Sequence, residues 1–159
     1  MNFRTQVELP VKGAEICHSD RIMLWGSCFT ENIGCLLKEN KFQCDINPFG
    51  VLYNPMSIAK ALNRVMEGGD YLTSDLFEAR GLWHSWMHHS AFSASDKDTC
   101  LEGINTRLNL SSSFLKKSNW LIVTWGTAYV YALKEGNKVV GNCHKQPDKL
   151  FSRRKLDVA

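Results

Sequence analysis

The apolar residues of the chain follow two patterns, short uninterrupted runs and repeats spaced three or four positions apart. The uninterrupted runs predict buried strands, because they are too short and too apolar for amphipathic helices. They cover Arg21–Trp25 and Trp120–Trp125. Phe42–Ile46 is the candidate second strand, which completes a β-α-β unit with Arg21–Trp25 and the helical segment between them, and such a unit places its two strands parallel in one sheet.

Three segments have apolar residues at helical spacing. In Thr30–Asn40 the residues expected to pack on the sheet are Ile33, Leu36 and Leu37. A second helix is predicted from Asn54-Pro55, where proline fits the first turn, to the glycines at 68 and 69. Its predicted buried stripe is Ile58, Ala61, Leu62, Val65 and Met66. The third helix is predicted over Lys97–Lys117, and its three consecutive serines at 111–113 are expected to end or bend it.

The remaining segments predict smaller elements. Leu76–Phe92 is rich in aromatic residues and indicates short strands or a structured loop. Ala128–Val140 predicts a β-hairpin around the turn Glu135-Gly136-Asn137. Residues 1–20 are expected to form an extended lead-in. This order of elements predicts one α/β domain over residues 1–159, with a mostly parallel sheet and a small β-hairpin.

Composition narrows the function classes. With 159 residues, of which 44% are hydrophobic and 22% charged, the chain can form a buried core and does not resemble a disordered protein. No apolar run approaches the roughly 20 residues of a membrane helix. The net charge is only +3, and the one basic cluster, within Lys145–Lys155, is expected to be a solvated surface or a helix face. We therefore expect neither a membrane nor a nucleic-acid partner.

Six cysteines are present, none of them in a C-x-x-C pair, so neither a zinc ribbon nor a redox dithiol is indicated. The N-terminal residues lack the apolar stretch of a signal peptide, which predicts a cytoplasmic protein with reduced, buried thiols. His84 and His88 are four residues apart and His89 follows directly, but no third ligand stands at a usual spacing. We expect no metal and no cofactor.

Ser27 is the candidate nucleophile. It follows the first predicted strand and precedes the first predicted helix, so its hydroxyl is expected at the carboxyl edge of the sheet. The free N–H groups of the helix N-terminus favour negative charge there. The alternative is that Ser27 only caps the helix. Cys28, next in sequence, is expected to be an inert thiol buried between helix and sheet.

Several longer motifs make the pattern more specific. In chain order they are the segments Gly26–Gly34, Asn47–Pro55, Trp83–Ser85, Gly126–Ala128 and Asn142–Pro147. Together they resemble the GSCFA family, named for a Gly-Ser-Cys-Phe-Ala segment in which this chain has Thr30 at the fifth position. That family looks like a branch of the SGNH (GDSL-type) hydrolases, which implies a three-layer, flavodoxin-like fold.

The resemblance implies roles for individual residues. Ser27 matches the nucleophile and Gly50 the oxyanion glycine, although Gly50 could equally be a plain turn glycine. Asn47 could point into the cleft or form an Asx-turn. Ala128 stands where the superfamily usually has an oxyanion asparagine. Asn142 and the Thr127 hydroxyl are the candidate substitutes for that donor.

The general base is not evident. The chain has no late Asp-x-x-His element, whereas members of the family look longer and carry a late histidine-bearing segment. The resemblance therefore implies either that the chain is C-terminally incomplete, as a fragment or a truncated product, or that a different histidine has taken the role of the base. His84 and His144 lie in two of the family motifs and are candidate cleft histidines, with a purely structural role as the alternative.

The resemblance therefore implies a serine hydrolase or acyltransferase that acts on the ester or acyl bond of a small molecule or glycan, incomplete or inactive as this chain. The alternative is a non-catalytic ligand- or carbohydrate-binding module that has lost the catalytic residues. A missing late segment would leave a sheet edge or a helix face uncovered, which predicts self-association into a homo-oligomer.

Overall fold

Three of the predicted strands form one parallel sheet in the computed structural model, which describes residues 13–157. The central strand, β1 (Arg21–Trp25), lies between β2 (Gln43–Ile46) and β5 (Trp120–Val123). Two helices predicted from the sequence follow the first two strands, α1 (Cys28–Glu39) and α2 (Pro55–Glu67). A third, α3 (Lys97–Leu115), precedes β5. The mixed α/β class with a parallel sheet is confirmed.

The side chains of β1 alternate between the two faces of the sheet, as strand geometry requires. Met23 and Trp25 are fully buried in a cluster with residues of α2 and α3. Ile22 and Leu24 belong to a second cluster, against which Leu37 of α1 packs. Residues of α2 and α3 thus share a cluster with Met23 and Trp25, and α1 packs with the alternate residues of β1.

Helix α1 presents a different face to the sheet from the one expected. Its buried residues are Thr30 and Gly34, whereas Ile33 and Leu36 are 37% and 53% exposed, so their predicted packing is wrong. Gly34 explains the difference, because a Cβ there would lie 2.7 Å from the side chain of Ile46. The missing side chain lets the backbone of α1 approach β2 directly.

Helix α2 buries most of its predicted stripe, including Ile58, Ala61 and Val65, but Met66 is 65% exposed and was wrongly included. Asn54 caps the helix by accepting a hydrogen bond from the N–H of Ser57 at 2.8 Å. The hydroxyl of Ser57, itself fully buried, donates to the carbonyl of Val140 at 3.0 Å. This contact attaches α2 to the C-terminal part of the molecule.

Helix α3 continues through the serine run that was expected to end or bend it. Ser111 is fully buried, and its hydroxyl accepts a hydrogen bond from Arg107. This bond offsets the free-energy cost of burying a hydroxyl group. Arg107 also binds the buried carboxylate of Asp45 on β2 with both terminal nitrogens. This bidentate ion pair fixes α3 to the parallel sheet.

Two antiparallel sheets complete the fold. Strands β3 (Leu76–Ala79) and β4 (Leu82–Ser85) form a hairpin around Arg80-Gly81. This agrees with the short strands that were one of the two expectations for the aromatic-rich segment. Strands β6 (Tyr129–Leu133) and β7 (Val139–Val140) form the second predicted hairpin, which is confirmed.

The basic tail forms strand β8 (Phe151–Lys155), which pairs with β6. The alternative expectation, that the basic tail forms a helix face, is therefore wrong. Four of the five residues of β8 are exposed. Of the predicted lead-in, residues 1–12 lie outside the described residues, and residues 13–20 contain only a turn before β1. Among the described residues, no helix has the length and apolar character needed to cross a membrane.

Candidate active site

The carboxyl ends of the three parallel strands meet at one edge of the sheet. The backbone N–H of Gly26, after β1, donates a 2.9 Å hydrogen bond to the side-chain oxygen of Asn47, after β2. A Cβ at Gly26 would overlap Thr124 at the end of β5 and the Thr30 hydroxyl, so only glycine fits there. Those two threonine hydroxyls hydrogen bond each other. Residues that follow both neighbouring strands, Asn47 after β2 and Thr124 after β5, therefore pack against the turn before Ser27.

Ser27 is the N-cap of α1. Its hydroxyl oxygen accepts a 3.3 Å hydrogen bond from the N–H of Phe29, which confirms the capping interpretation. The residue is half-buried and faces Gly126, where a Cβ would lie 3.7 Å from the Cβ of Ser27 and 3.1 Å from the ring of Tyr53. Capping does not exclude attack on a substrate, because the hydroxyl lies at the positive end of the helix dipole.

Asn47 has a role that neither of its expected alternatives described. Its side-chain oxygen holds Gly26, and its own backbone is left-handed, with φ of 42°. Its side-chain amide is buried and has no hydrogen-bond acceptor among the described residues. Asn47 is thus a positioning residue for the turn that carries Ser27.

Gly50 does not present a free amide to the site. Its N–H donates a 2.7 Å hydrogen bond to the carbonyl of Asn47, closing a turn, and its φ is +79°. A Cβ on Gly50 would overlap the Cβ of His89. The geometry is that of a turn glycine, one of the two alternatives given for Gly50. The missing side chain also allows His89 to lie against the backbone at this position.

Cys28 is exposed, so its predicted burial is wrong. Helix α1 turns Thr30 and Gly34 toward the sheet, and Cys28 lies about 160° around the helix from Thr30. Cys17 and Cys35 are also exposed, whereas Cys44 and Cys100 are buried as expected. All six cysteines are free thiols.

A cavity of 360 Å³ is lined by Tyr53 and Thr127, although Ser27 itself is not among its lining residues; we call it the tyrosine cavity. Its walls include three tyrosine rings and three polar side chains: Tyr53, Tyr129, Tyr131, His89, Thr127 and Asn142. Tyr53 is the lining residue nearest to the Ser27 turn that these contacts identify, since its carbonyl accepts a 2.8 Å hydrogen bond from the N–H of Gly126, which faces Ser27. Thr127 and Asn142, the candidate donors in place of the missing asparagine, therefore line the same cavity.

A second cavity of 370 Å³, which we call the histidine cavity, contains the two histidines predicted for the cleft. Its polar walls include His84, His144, Arg80, Lys145, His89 and Asn142. His89 and Asn142 line both cavities. No pattern in the sequence indicates the contact between His89 and Gly50.

The hydrogen bonds of His84 and His144 are structural. His84 hydrogen bonds the Ser93 hydroxyl at 2.6 Å and the Ala79 carbonyl at 3.2 Å. His144 donates from Nε2 to the carbonyl of Ser85 at 2.8 Å, while its Nδ1 is buried without a partner among the described residues. Burial lowers the pKa of His144, and the nearby His84 and His89 act in the same direction. Both predicted histidines thus lie 4.5 Å apart between ring centres, and neither hydrogen bonds Ser27.

His88 was overlooked as a structural residue. It is 1% exposed, stacks on Phe49 at 4.2 Å between ring centres, and hydrogen bonds Ser85 through Nδ1 at 2.9 Å. Burial, and secondarily His144, lower the pKa of His88 to about 3. It is therefore a neutral core residue at physiological pH. Among residues 13–157, no group of three His, Cys, Asp or Glu side chains could hold a metal ion.

Comparison with known families agrees with the motifs around this edge of the sheet. The model of the GSCFA family matches residues 21–159. The chain belongs to the GSCFA family. No curated protein and no solved structure matches the sequence significantly. In this GSCFA protein the matched region includes all of β1 to β8 and both cavities, so the residues described above lie within the family domain.

Proposed function

We propose that this GSCFA protein is an SGNH-like serine hydrolase or acyltransferase with a three-layer, flavodoxin-like domain. The observation that carries the proposal is the position of Ser27, at the N-terminus of α1 and at the carboxyl edge of a parallel sheet. Ligands of open α/β sheets bind in this location. The hydrogen bond from Gly26 to Asn47 positions the turn that carries Ser27.

In the proposed reaction, the Ser27 hydroxyl attacks the carbonyl carbon of an ester. The serine loses its proton to a base, and the carbonyl oxygen becomes an oxyanion that needs N–H donors. The first-turn amides of α1 are the candidate donors, since helix N-terminal amides lack intrahelical acceptors. The tetrahedral intermediate then collapses, the ester C–O bond breaks, and the alcohol leaves with the proton that the base returns. Water or another hydroxyl next attacks the acyl-serine and takes the acyl group, and Ser27 regains its proton.

The tyrosine cavity supports a small-molecule or glycan ester as the substrate class. Tyr53, Tyr129 and Tyr131 are all partly exposed, and they offer apolar faces with a polar tip. Asn142 and Thr127 add hydrogen-bonding groups to the same walls. A cavity with aromatic faces and a few polar groups is typical of small-ligand sites.

A non-catalytic binding module is the second candidate, and specific observations favour it. Within residues 13–157, the Ser27 hydroxyl hydrogen bonds only the N–H of Phe29, and no histidine contacts it. The N–H of Gly50 is occupied by Asn47, and Ala128 offers no side-chain donor. Such a protein would keep the tyrosine cavity and bind the ligand without turnover.

A fluorophosphonate probe followed by peptide mass spectrometry separates the two candidates. A serine hydrolase is labelled at Ser27, and the Ser27→Gly variant is not. Glycine is the appropriate replacement, because it weakens a helix N-cap by only a few tenths of a kcal/mol, whereas alanine costs about 0.5–2 kcal/mol. Ser113→Ala, at an exposed serine on α3, is the matched control and should remain labelled. Absence of labelling at Ser27 in the unmodified protein would reject the hydrolase and favour the binding module.

A further inference from the structure

The histidine cavity has a marked charge asymmetry. Arg80 and Lys145 contribute two cations to its walls, and no aspartate or glutamate lines it. The chain as a whole carries 16 acidic residues against 19 basic ones, so an all-basic cavity is not a simple consequence of composition. Clefts lined by one sign of charge concentrate ligands of the opposite sign.

One of the two cations, Arg80, is held by a hydrogen bond. Arg80 lies in the turn between β3 and β4, and its guanidinium donates a 3.2 Å hydrogen bond to the carbonyl of Lys145. Both residues have left-handed backbones, with φ of 55° and 54°. The remaining guanidinium N–H groups have no other acceptor among the described residues. A planar guanidinium with free donors suits a carboxylate or phosphate.

The neutral polar groups of the cavity also act as donors. The side-chain oxygen of Asn142 accepts a 2.8 Å hydrogen bond from the N–H of His144, which leaves its amide hydrogens available. The Nδ1 atom of His89 accepts from the N–H of Ala91 at 3.3 Å, so the proton of the neutral ring is on Nε2. Both residues lie between the two cavities and can donate into either.

His144 is the buried titratable side chain of the cavity. It is nine-tenths buried, lines the cavity, and its Nδ1 has no partner among residues 13–157. An anion nearby favours the charged form of a histidine. Protonation of Nδ1 would then give the cavity a third positive charge while Nε2 still donates to Ser85.

We propose that the histidine cavity binds a carboxylate or phosphate group carried by the same molecule whose acyl group occupies the tyrosine cavity. The shared walls, His89 and Asn142, place the two groups within one ligand of moderate size. The second half of this proposal rests on the proposed function, whereas anion binding in the histidine cavity does not. The substrate class is thereby narrowed to acidic esters.

Titrations followed by ¹H–¹⁵N correlation spectra test the anion site without any turnover. The probes are inorganic phosphate, glucuronate, and glucose as the neutral counterpart of glucuronate. We expect saturable shifts of the amide signals of Arg80, His144 and Lys145 with at least one anion and none with glucose. Whichever anion binds more tightly identifies phosphate or carboxylate as the preferred group.

The variants separate a built site from general electrostatic attraction. Arg80→Gln should weaken anion binding by about 10- to 100-fold, as expected for lost hydrogen bonds to a charged group. Lys117→Gln removes the same charge from the exposed end of α3, at the opposite edge of the sheet, and should change the affinity less than twofold. Equal weakening by both variants, or no saturable shift of the three signals, would overturn the proposal.

Ser27→Gly keeps the two proposals distinguishable, because it should leave anion affinity unchanged while abolishing fluorophosphonate labelling. Binding without any labelling at Ser27 in the unmodified protein would reject the hydrolase and retain the anion site. Labelling without binding would reject the anion site alone.

Discussion

The side chain of Asn47 holds the backbone of Gly26 through a 2.9 Å hydrogen bond that joins the ends of β2 and β1. Both residues are buried, so this hydrogen bond is shielded from solvent. The residue after Gly26 is Ser27, so the orientation of the candidate nucleophile depends on a side chain 20 positions further along the chain.

We therefore predict that Asn47→Gly lowers the free energy of unfolding by about 1–3 kcal/mol, since it leaves the N–H of Gly26 buried without an acceptor. Asn47→Ala should cost about 1–2 kcal/mol more, because the backbone at this position has φ of 42° and alanine disfavours it. Urea denaturation of both variants measures the difference. Unfolding curves that coincide with that of the unmodified protein would contradict a positioning role for Asn47.

A second prediction concerns the contact between Gly50 and His89. Gly50→Ala introduces a methyl group that overlaps the Cβ of His89, in addition to the strain of a positive φ. Gly136→Ala is the matched control, because its φ is +72° but nothing lies within 4 Å of the new Cβ. Overpacking costs about 1–3 kcal/mol, so Gly50→Ala should be the less stable variant by that amount. Its His89 ring signals should also shift, whereas those of Gly136→Ala should not.

The ion pair between Arg107 and Asp45 gives a third prediction. Arg107→Met leaves the carboxylate of Asp45, which is 7% exposed, without its cation and should cost about 3–5 kcal/mol. Lys138→Met removes the partner of Asp75 in an exposed pair with a 3.9 Å separation and should cost less than about 1 kcal/mol. Chemical denaturation checks both values. Similar losses in the two variants would show that the buried pair does not anchor α3.

The fourth prediction is a pH dependence that follows from His88. Its pKa in the folded protein is about 3, below the ordinary value of 6.5, because burial disfavours the charged ring. The unfolded chain therefore binds a proton that the folded protein does not, and stability falls as the pH is lowered from about 6.5 toward 3. His144, whose pKa is also lowered by burial, acts in the same direction.

The contribution of His88 is isolated by His88→Phe, which keeps an aromatic ring against Phe49. The slope of unfolding free energy against pH should become shallower by up to about 1.4 kcal/mol per pH unit between pH 4 and 6. Urea titrations at several pH values measure both slopes. Parallel slopes for the two proteins would mean that His88 is protonated in the folded state.

The arrangement of helices and strands was largely predictable, because apolar runs and helical repeats report burial directly. The strands on either side of α1 and the hairpin around Gly136 are examples. The errors on α1 share one physical origin, which is backbone approach rather than side-chain pattern. Gly34 brings α1 close to Ile46 and thereby rotates Ile33, Leu36 and Cys28 away from the sheet.

The candidate site was predictable only in part. Ser27 could be located because a strand, a glycine turn and a helix cap are local features of the sequence. The bond from Gly26 to Asn47 and the contact of Gly50 with His89 join distant segments, and neither produces a periodic pattern. The basic tail was misassigned because β8 has one buried residue, Phe151, and so lacks the alternation typical of a half-buried strand.

Two side chains, His89 and Asn142, form a partition with a different compartment on each side. A substitution at His89 or Asn142 changes the walls of both cavities. Ligand selectivity therefore cannot be altered in one cavity at these two positions without altering it in the other. To change one cavity independently, substitutions must be made at residues that line that cavity alone, such as Tyr131 in the tyrosine cavity and Arg80 in the histidine cavity.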